Sequence, residues 1–146
     1  MISRSGLQAI QAVAALAERS ATGYLGASAL AGTIGAPPNY LGKLLQVLAK
    51  QGLVESRKGQ GGGFRLLRDP RGISLYEIVE RIDSLERWSA CVLGRPRCSD
   101  ESPCVVHDQW DVLRRAYIDL LSNTTVADLV AARATSPPDM PKKAAR

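Results

Sequence analysis

The sequence predicts a mainly α-helical fold with one small β-hairpin, and three observations carry that prediction. Two short stretches with helical apolar spacing, 27–34 and 38–51, follow one another with only a tight break between them. A basic, glycine-rich run, Lys58-Gly59-Gln60-Gly61-Gly62-Gly63, separates two short segments that read as strands. A late stretch running to about Leu121 repeats its apolar residues at spacings of 4, 3, 4 and 3.

In chain order, residues 5–19 place Leu7, Ile10, Val13, Ala14 and Ala17 on one helix face. Four alanines, Ala12, Ala14, Ala15 and Ala17, raise its helix propensity. Ala21-Thr22-Gly23 breaks it. The second helix, 27–34, turns Leu30 and Ile34 inward and closes at Gly35. Pro37-Pro38 opens the third, since proline is tolerated in a first turn. Its apolar face is Leu41, Leu44, Leu45 and Leu48, and Gly52 ends it. Its outward face is polar and basic: Asn39, Tyr40, Lys43, Gln46 and Lys50. Two short helices across a tight turn, the second basic outside, form the helix-turn-helix pattern. The second helix of that pattern enters the major groove with its N-terminal residues toward base edges. Ser28, Pro38, Asn39, Tyr40 and Lys43 are therefore candidate DNA contacts.

Leu53–Arg57 reads as a strand and Phe64–Leu67 as its return, a hairpin with a basic tip. Beside a helix-turn-helix, such a hairpin is the wing of a winged helix. Glycine lets backbone approach a phosphate closely, which adds Gly61, Gly62 and Gln60 to the charged candidates Arg57, Lys58 and Arg65. A nucleotide-binding glycine loop would need Lys-Ser/Thr and a helix next; Phe64-Arg65 and a strand follow instead.

Ser74-Leu75-Tyr76-Glu77 reads as a capping box opening a helix with Leu75, Ile78, Val79, Ile82 and Leu85 inward. Ser102-Pro103 reads as the start of the long late helix, with serine as cap and proline first. Val106, Trp110, Leu113, Tyr117 and Leu120 form its seam, the spacing of a helix packed lengthwise on a partner helix, and predict a homodimer. Thr125 caps a last short helix to about Arg133. The expected organisation is a winged helix-turn-helix DNA-binding domain, 1–70, then a connecting helix, cysteine loop and dimerisation helix, 71–133, then a disordered tail, 134–146.

Composition fits this plan. A chain of 146 residues can bury a core without staples. Its net charge of +5 sits in the front half: residues 1–70 hold eight Lys/Arg against three acids, and residues 71–146 hold eleven of each. That places the positive excess where a polyanion would bind. No apolar run approaches the ~20 residues that span a bilayer. Gln8 and Gln11 interrupt the apolar N-terminus at helical spacing, against a signal peptide, so the expected compartment is cytoplasmic, where disulfides are rare.

All three cysteines, Cys91, Cys98 and Cys104, and the single histidine, His107, lie between Trp88 and Trp110, spaced Cys-x6-Cys-x5-Cys-x2-His. Three thiolates and an imidazole can hold zinc, although zinc sites usually show two paired knuckles. Thiolates are also the ligands of iron–sulfur clusters. Simple thiol redox chemistry is the third possibility, and the spacing leaves all three open. Cys104 is expected near a helix start, which would favour its thiolate, with His107 on the same helix face.

With these residues in view, the chain resembles the IscR/NsrR family of winged-helix regulators (the Rrf-two type) over residues 4 to about 130. The resemblance rests on Asn39-Tyr40-Leu41, on the wing from Leu53 to Leu66, on Ile73-Ser74-Leu75 and on the cysteine triad. It implies a homodimer on a palindromic site in promoter DNA, often as a repressor. It also implies a 2Fe-2S or 4Fe-4S cluster on Cys91, Cys98 and Cys104 that responds to iron, oxidants or nitric oxide. His107 matches the family's histidine ligand; members without it use an acid from the partner's first helix, where this chain's first acid is the late Glu18. The chain departs from the pattern in a Cys91–Cys98 gap one residue longer, and in Leu7-Gln8 where a basic-aromatic pair is usual. Zinc remains the alternative occupant.

Overall fold

The computed structural model describes residues 2–19, 23–85, 90–96 and 98–135. The tail from 136 onward, Trp88 and the break residues Ala21 and Thr22 lie outside the described residues.

Helix α1, Arg4–Glu18, starts at Ser3, whose hydroxyl accepts from the Gly6 amide at 3.0 Å. It is the central helix, contacted by α2 (Ala27–Ile34), α3 (Pro38–Lys50), α4 (Leu75–Asp83) and α6 (Val126–Thr135). Ala9, Ala12, Ala14 and Ala15 are buried along with Val13 and Leu16, so α1 is enclosed on most of its circumference. Small side chains let several helices approach its axis at once. Leu7, expected inward, is instead 48% exposed, while Ala9, Ile10, Val13 and Leu16 of the same helix are buried.

Helices α2 and α3 match the expected spans, with Gly35 capping α2 and Pro38 in the first turn of α3. Leu41, Leu45 and Leu48 are fully buried, with Leu44 nearly so; truncating such a side chain to alanine costs about 2–5 kcal/mol. Strands β1 (Val54–Arg57) and β2 (Gly63–Leu66) pair antiparallel in the register Val54↔Leu66, Glu55↔Arg65, Ser56↔Phe64 and Arg57↔Gly63. The hairpin is fastened to the head at Leu25, which exchanges two backbone hydrogen bonds with Phe64, 2.9 and 2.8 Å.

Ser74 caps α4 by accepting from the Glu77 amide at 3.2 Å. The return half of the expected capping box is missing. The Glu77 carboxylate instead pairs with Arg68 at 2.5 Å and Arg81 at 3.0 Å, and the Leu75 amide bonds the Thr124 carbonyl at 2.9 Å.

Helix α5 is His107–Asn123, so Ser102-Pro103 is not its start. The Ser102 amide bonds the Ser99 carbonyl at 3.3 Å, and its carbonyl accepts from Arg95 at 3.1 Å. The first intrahelical bond is accepted four residues later, at Val106, from the Trp110 amide at 2.9 Å. Helix α6 has a reciprocal cap. Thr125 donates from its amide to Asp128 at 2.8 Å and accepts from the Asp128 amide at 3.2 Å, and these bonds hold the Asp128 carboxyl below its usual range. Among the described residues, no helix is long and apolar enough to cross a membrane.

Candidate DNA interface and cysteine site

The outer face of α3 is open. Pro38, Asn39, Lys43, Gln46 and Lys50 are exposed, as is Ser28 at the start of α2. They line a shallow groove of about 540 Å³ whose floor includes Gly42 and Phe64. Gln46 donates to Ser56 at 3.0 Å, tying the helix to the hairpin. Tyr40 behaves differently from the other candidates: its hydroxyl is hydrogen-bonded to Ser5 of α1, so the phenol is anchored to the body of the head.

On the wing, Lys58, Gln60 and Gly61 are exposed at the tip, beside Arg57. Gly62 has a steric role, since a Cβ there would lie 2.2 Å from the Arg57 carbonyl oxygen. The guanidinium groups of Arg57 and Arg65 lie over the ring of Tyr24, at 5.6 and 4.9 Å from its centroid. Arg65 also bonds Glu55 at 2.6 Å; that guanidinium, with Tyr24, holds the Glu55 carboxyl below its usual range. Tyr24 was invisible to sequence reasoning, which had no periodicity or motif to place it beneath residues more than thirty positions on. Lys58, exposed at the tip, leads to a simple expectation. Lys58→Ala should weaken binding to every duplex alike and lower the slope of log affinity against log salt by about 0.9. A change in base preference with an unaltered slope would remove Lys58 from the phosphate-contacting set.

The cysteine loop brings its four donors together as two pairs. The Cys91 and Cys104 sulfurs are 3.7 Å apart, and the Cys98 sulfur is 3.1 Å from His107 Nδ1. Among the described residues, no group of three or more His, Cys, Asp or Glu side chains converges on one point. The donor chemistry nonetheless fits a thiolate-bound metal group. Two sulfurs on one tetrahedral ion with bonds of about 2.3 Å stand about 3.8 Å apart, close to the Cys91–Cys104 separation. Backbone amides of Leu93 and Arg95 favour the Cys91 thiolate, while burial and the neighbouring Cys91 sulfur push the Cys98 thiol up. His107 is buried, and its Nε2 lies 2.8 Å from Asp100 Oδ1. A carboxylate only accepts, so Nε2 is the donor there, and Nδ1 faces Cys98. Asp100 was not singled out in the sequence; an acid seven residues before a histidine gives no signal.

Cys104 lies three residues before α5, outside the helix, so it does not share a helix face with His107. Their link is one turn, from the His107 amide to the Cys104 carbonyl at 3.0 Å. Trp110 fastens the loop from the other side, its Nε1 donating to the Ala90 carbonyl at 3.1 Å.

The expected seam on α5 divides in two. Trp110 and Tyr117 are half-buried and, with buried His107 and Leu121, face the chain's own body; Val106 is the cap. Leu113 and Leu120 are each 61% exposed and Val112 is 70% exposed, with Ala116 exposed between them. The spacing of 4, 3, 4 and 3 straddled two neighbouring faces, one packed toward α4 and one open.

Comparison with known proteins gives a consistent picture. A family model described as Rrf2, iron-dependent transcriptional regulator, matches residues 2–132. The chain is 30% identical over 129 residues to the HTH-type transcriptional regulator IscR of Klebsiella pneumoniae, covering 88% of this chain and 78% of that protein. Among solved structures, it superposes on IscR of T. potens with a TM-score of 0.73 at 25% identity, covering 97% of this chain and 93% of the other. It also shares the fold of CymR, the global cysteine regulator of B. subtilis, with a TM-score of 0.78 at 24% identity, covering 90% and 97%.

Proposed function

The chain belongs to the Rrf2 family of transcriptional regulators, DNA-binding proteins rather than enzymes, and from that membership we propose that it is a homodimer sensing through an iron–sulfur cluster. In this reading the protein is cytoplasmic and binds a palindromic site in promoter DNA. Asn39 and Lys43 of α3 read bases, and the wing holds phosphate through Arg57, Lys58 and Arg65. Ser28, Gln60 and the backbone of Gly61 and Gly62 line the same contact, and Tyr40 shapes it from behind.

Cys91, Cys98, Cys104 and His107 would hold the cluster. The observation that carries the reading is the pairing of four soft donors within one loop, Cys91 with Cys104 and Cys98 with His107. A bound cluster supplies iron–thiolate bonds that oxidants, nitric oxide or iron shortage can break. The chain does the rest. Asp100 orients the imidazole, and Trp110 and Arg95 hold the loop through Ala90 and Ser102. With its four ligands free, the loop is still tied by these hydrogen bonds. The same donor set suits zinc, three thiolates and one imidazole being a known zinc set, and that is the second reading.

The test is protein purified without oxygen, with visible absorbance and iron, sulfide and zinc assays on one sample. The expected result is a coloured protein containing iron and sulfide, and a colourless Cys98→Ala variant. A colourless wild-type protein that also fails reconstitution with iron and sulfide would overturn the cluster, and about one zinc per chain would establish the second reading.

A further inference from the structure

The head and the element from which the cysteine loop departs are joined by a clasp. Asp83, the last residue of α4, accepts from the Ser3 amide at 2.8 Å with one carboxylate oxygen and from the Ser3 hydroxyl with the other. Ser3 is the N-cap of α1, so one carboxylate holds the residue that starts the central helix. The fit is close: a Cβ on Gly6 would lie 2.6 Å from Asp83 Oδ2, so a side chain there would displace the carboxylate. Two residues past Ser3, the Ser5 hydroxyl is hydrogen-bonded to Tyr40, in the first turn of α3. Tyr117 of α5 closes in from the other side, close enough to feel the Ile2 backbone and the Asp83 charge. Asp83 precedes Cys91 by eight residues.

We propose that Asp83 is a positioning residue for the DNA-reading helix. Its carboxylate fixes the first turn of α1, and Ser5 and Tyr40 pass that position to the N-terminal turn of α3. The segment that leads into the cysteine loop thereby sets the pose of the residues that meet base edges. This rests on α3 being the reader. The clasp links positions eighty residues apart through two hydrogen bonds, which are directional where packing is not.

Charge and position predict opposite results for one substitution. Asp83→Asn removes a negative charge from beside the head, which by itself tightens binding to any DNA. As a positioning residue, Asp83 acts only on the specific complex. The probes are a duplex selected by the wild-type chain from a random pool and a shuffled duplex of the same composition. Asp83→Asn should bind the selected duplex about tenfold more weakly and the shuffled duplex no more weakly than wild type. Gly6→Ala, which pushes the carboxylate away, should act in the same direction. Tyr40→Phe should resemble Asp83→Asn, and the double variant should be no worse than the weaker-binding single, since both break one chain of contacts. Additive losses, an equal loss on both duplexes, or unchanged affinity for the selected duplex would overturn the proposal. If Asp83→Asn does not fold, Ser3→Ala, which removes only the hydroxyl, carries the same comparison. An Asn39→Ala variant that binds both duplexes as wild type does would remove α3 as the reader, and the proposal with it.

Discussion

Replacing Leu113 and Leu120 together with glutamate should convert the protein to a monomer and lower its affinity for a two-half-site duplex by at least about 100-fold. The two leucines stand on the open side of α5 with Val112 and Ala116, an apolar stripe with polar Asp119 and Ser122 nearby. In a monomer both side chains are mostly exposed, and surface changes of that kind usually stay within about 0.5 kcal/mol. In a dimer closed along this stripe they place like charges opposite one another in an apolar seam. The loss on DNA follows from linkage, because a second head held on the same protein binds at an effective concentration that a free monomer does not have. Sedimentation at micromolar concentration reads the mass, and titration of one-half-site and two-half-site duplexes reads the coupling. The single half-site should bind both proteins alike. A double variant that sediments as a dimer would place the interface elsewhere, and a wild-type chain that sediments as a monomer would end the homodimer reading.

The division of the α5 seam also marks how far sequence reading reached. Helices α2 and α3 and the hairpin were legible because their signals are local: Gly35, Pro38, the leucine spacing of α3 and the glycine run each act within one or two turns of chain. The start of α5 was misread for the same reason. Ser102-Pro103 is a good local cap, but Ser102 is held in a turn with Ser99 and by Arg95, tertiary and loop contacts that the local pattern does not report. The inward face of α1 was misassigned at Leu7 because periodicity weights large residues, while alanines do the packing there. At the candidate sites the residue types were readable and the partners were not. The cysteines and basic residues declare their chemistry, but Tyr24 beneath two arginines, Asp100 behind His107 and Asp83 against Ser3 are tertiary contacts with no sequence period.

The hairpin offers the sharpest test of how the wing is held. Gly63→Ala should destabilise the protein by about 3–5 kcal/mol, from a strained backbone and two lost buried hydrogen bonds. Gly63 has φ of 136°, a region that residues with a Cβ rarely enter. A Cβ there would also lie 2.4 Å from the Leu25 carbonyl oxygen and 2.5 Å from its carbon. Those are backbone atoms, which cannot rotate away as a side chain would. Relief requires separating β2 from Leu25, which breaks the paired bonds between Leu25 and Phe64 and lifts Phe64 from the core. Gly59, in the turn at φ of 89°, is the matched control, because its added Cβ meets nothing within 4 Å. Gly59→Ala should cost only about 1 kcal/mol, the local strain alone. Thermal unfolding separates the two, with a fall in Tm on the order of 10 °C for Gly63→Ala and a few degrees for Gly59→Ala. Equal losses would mean that backbone strain alone governs both positions and that Leu25 does not fix the hairpin. A large loss confined to Gly63 would locate the attachment of the wing at Leu25, two residues before Ala27, which lines the groove beside α3.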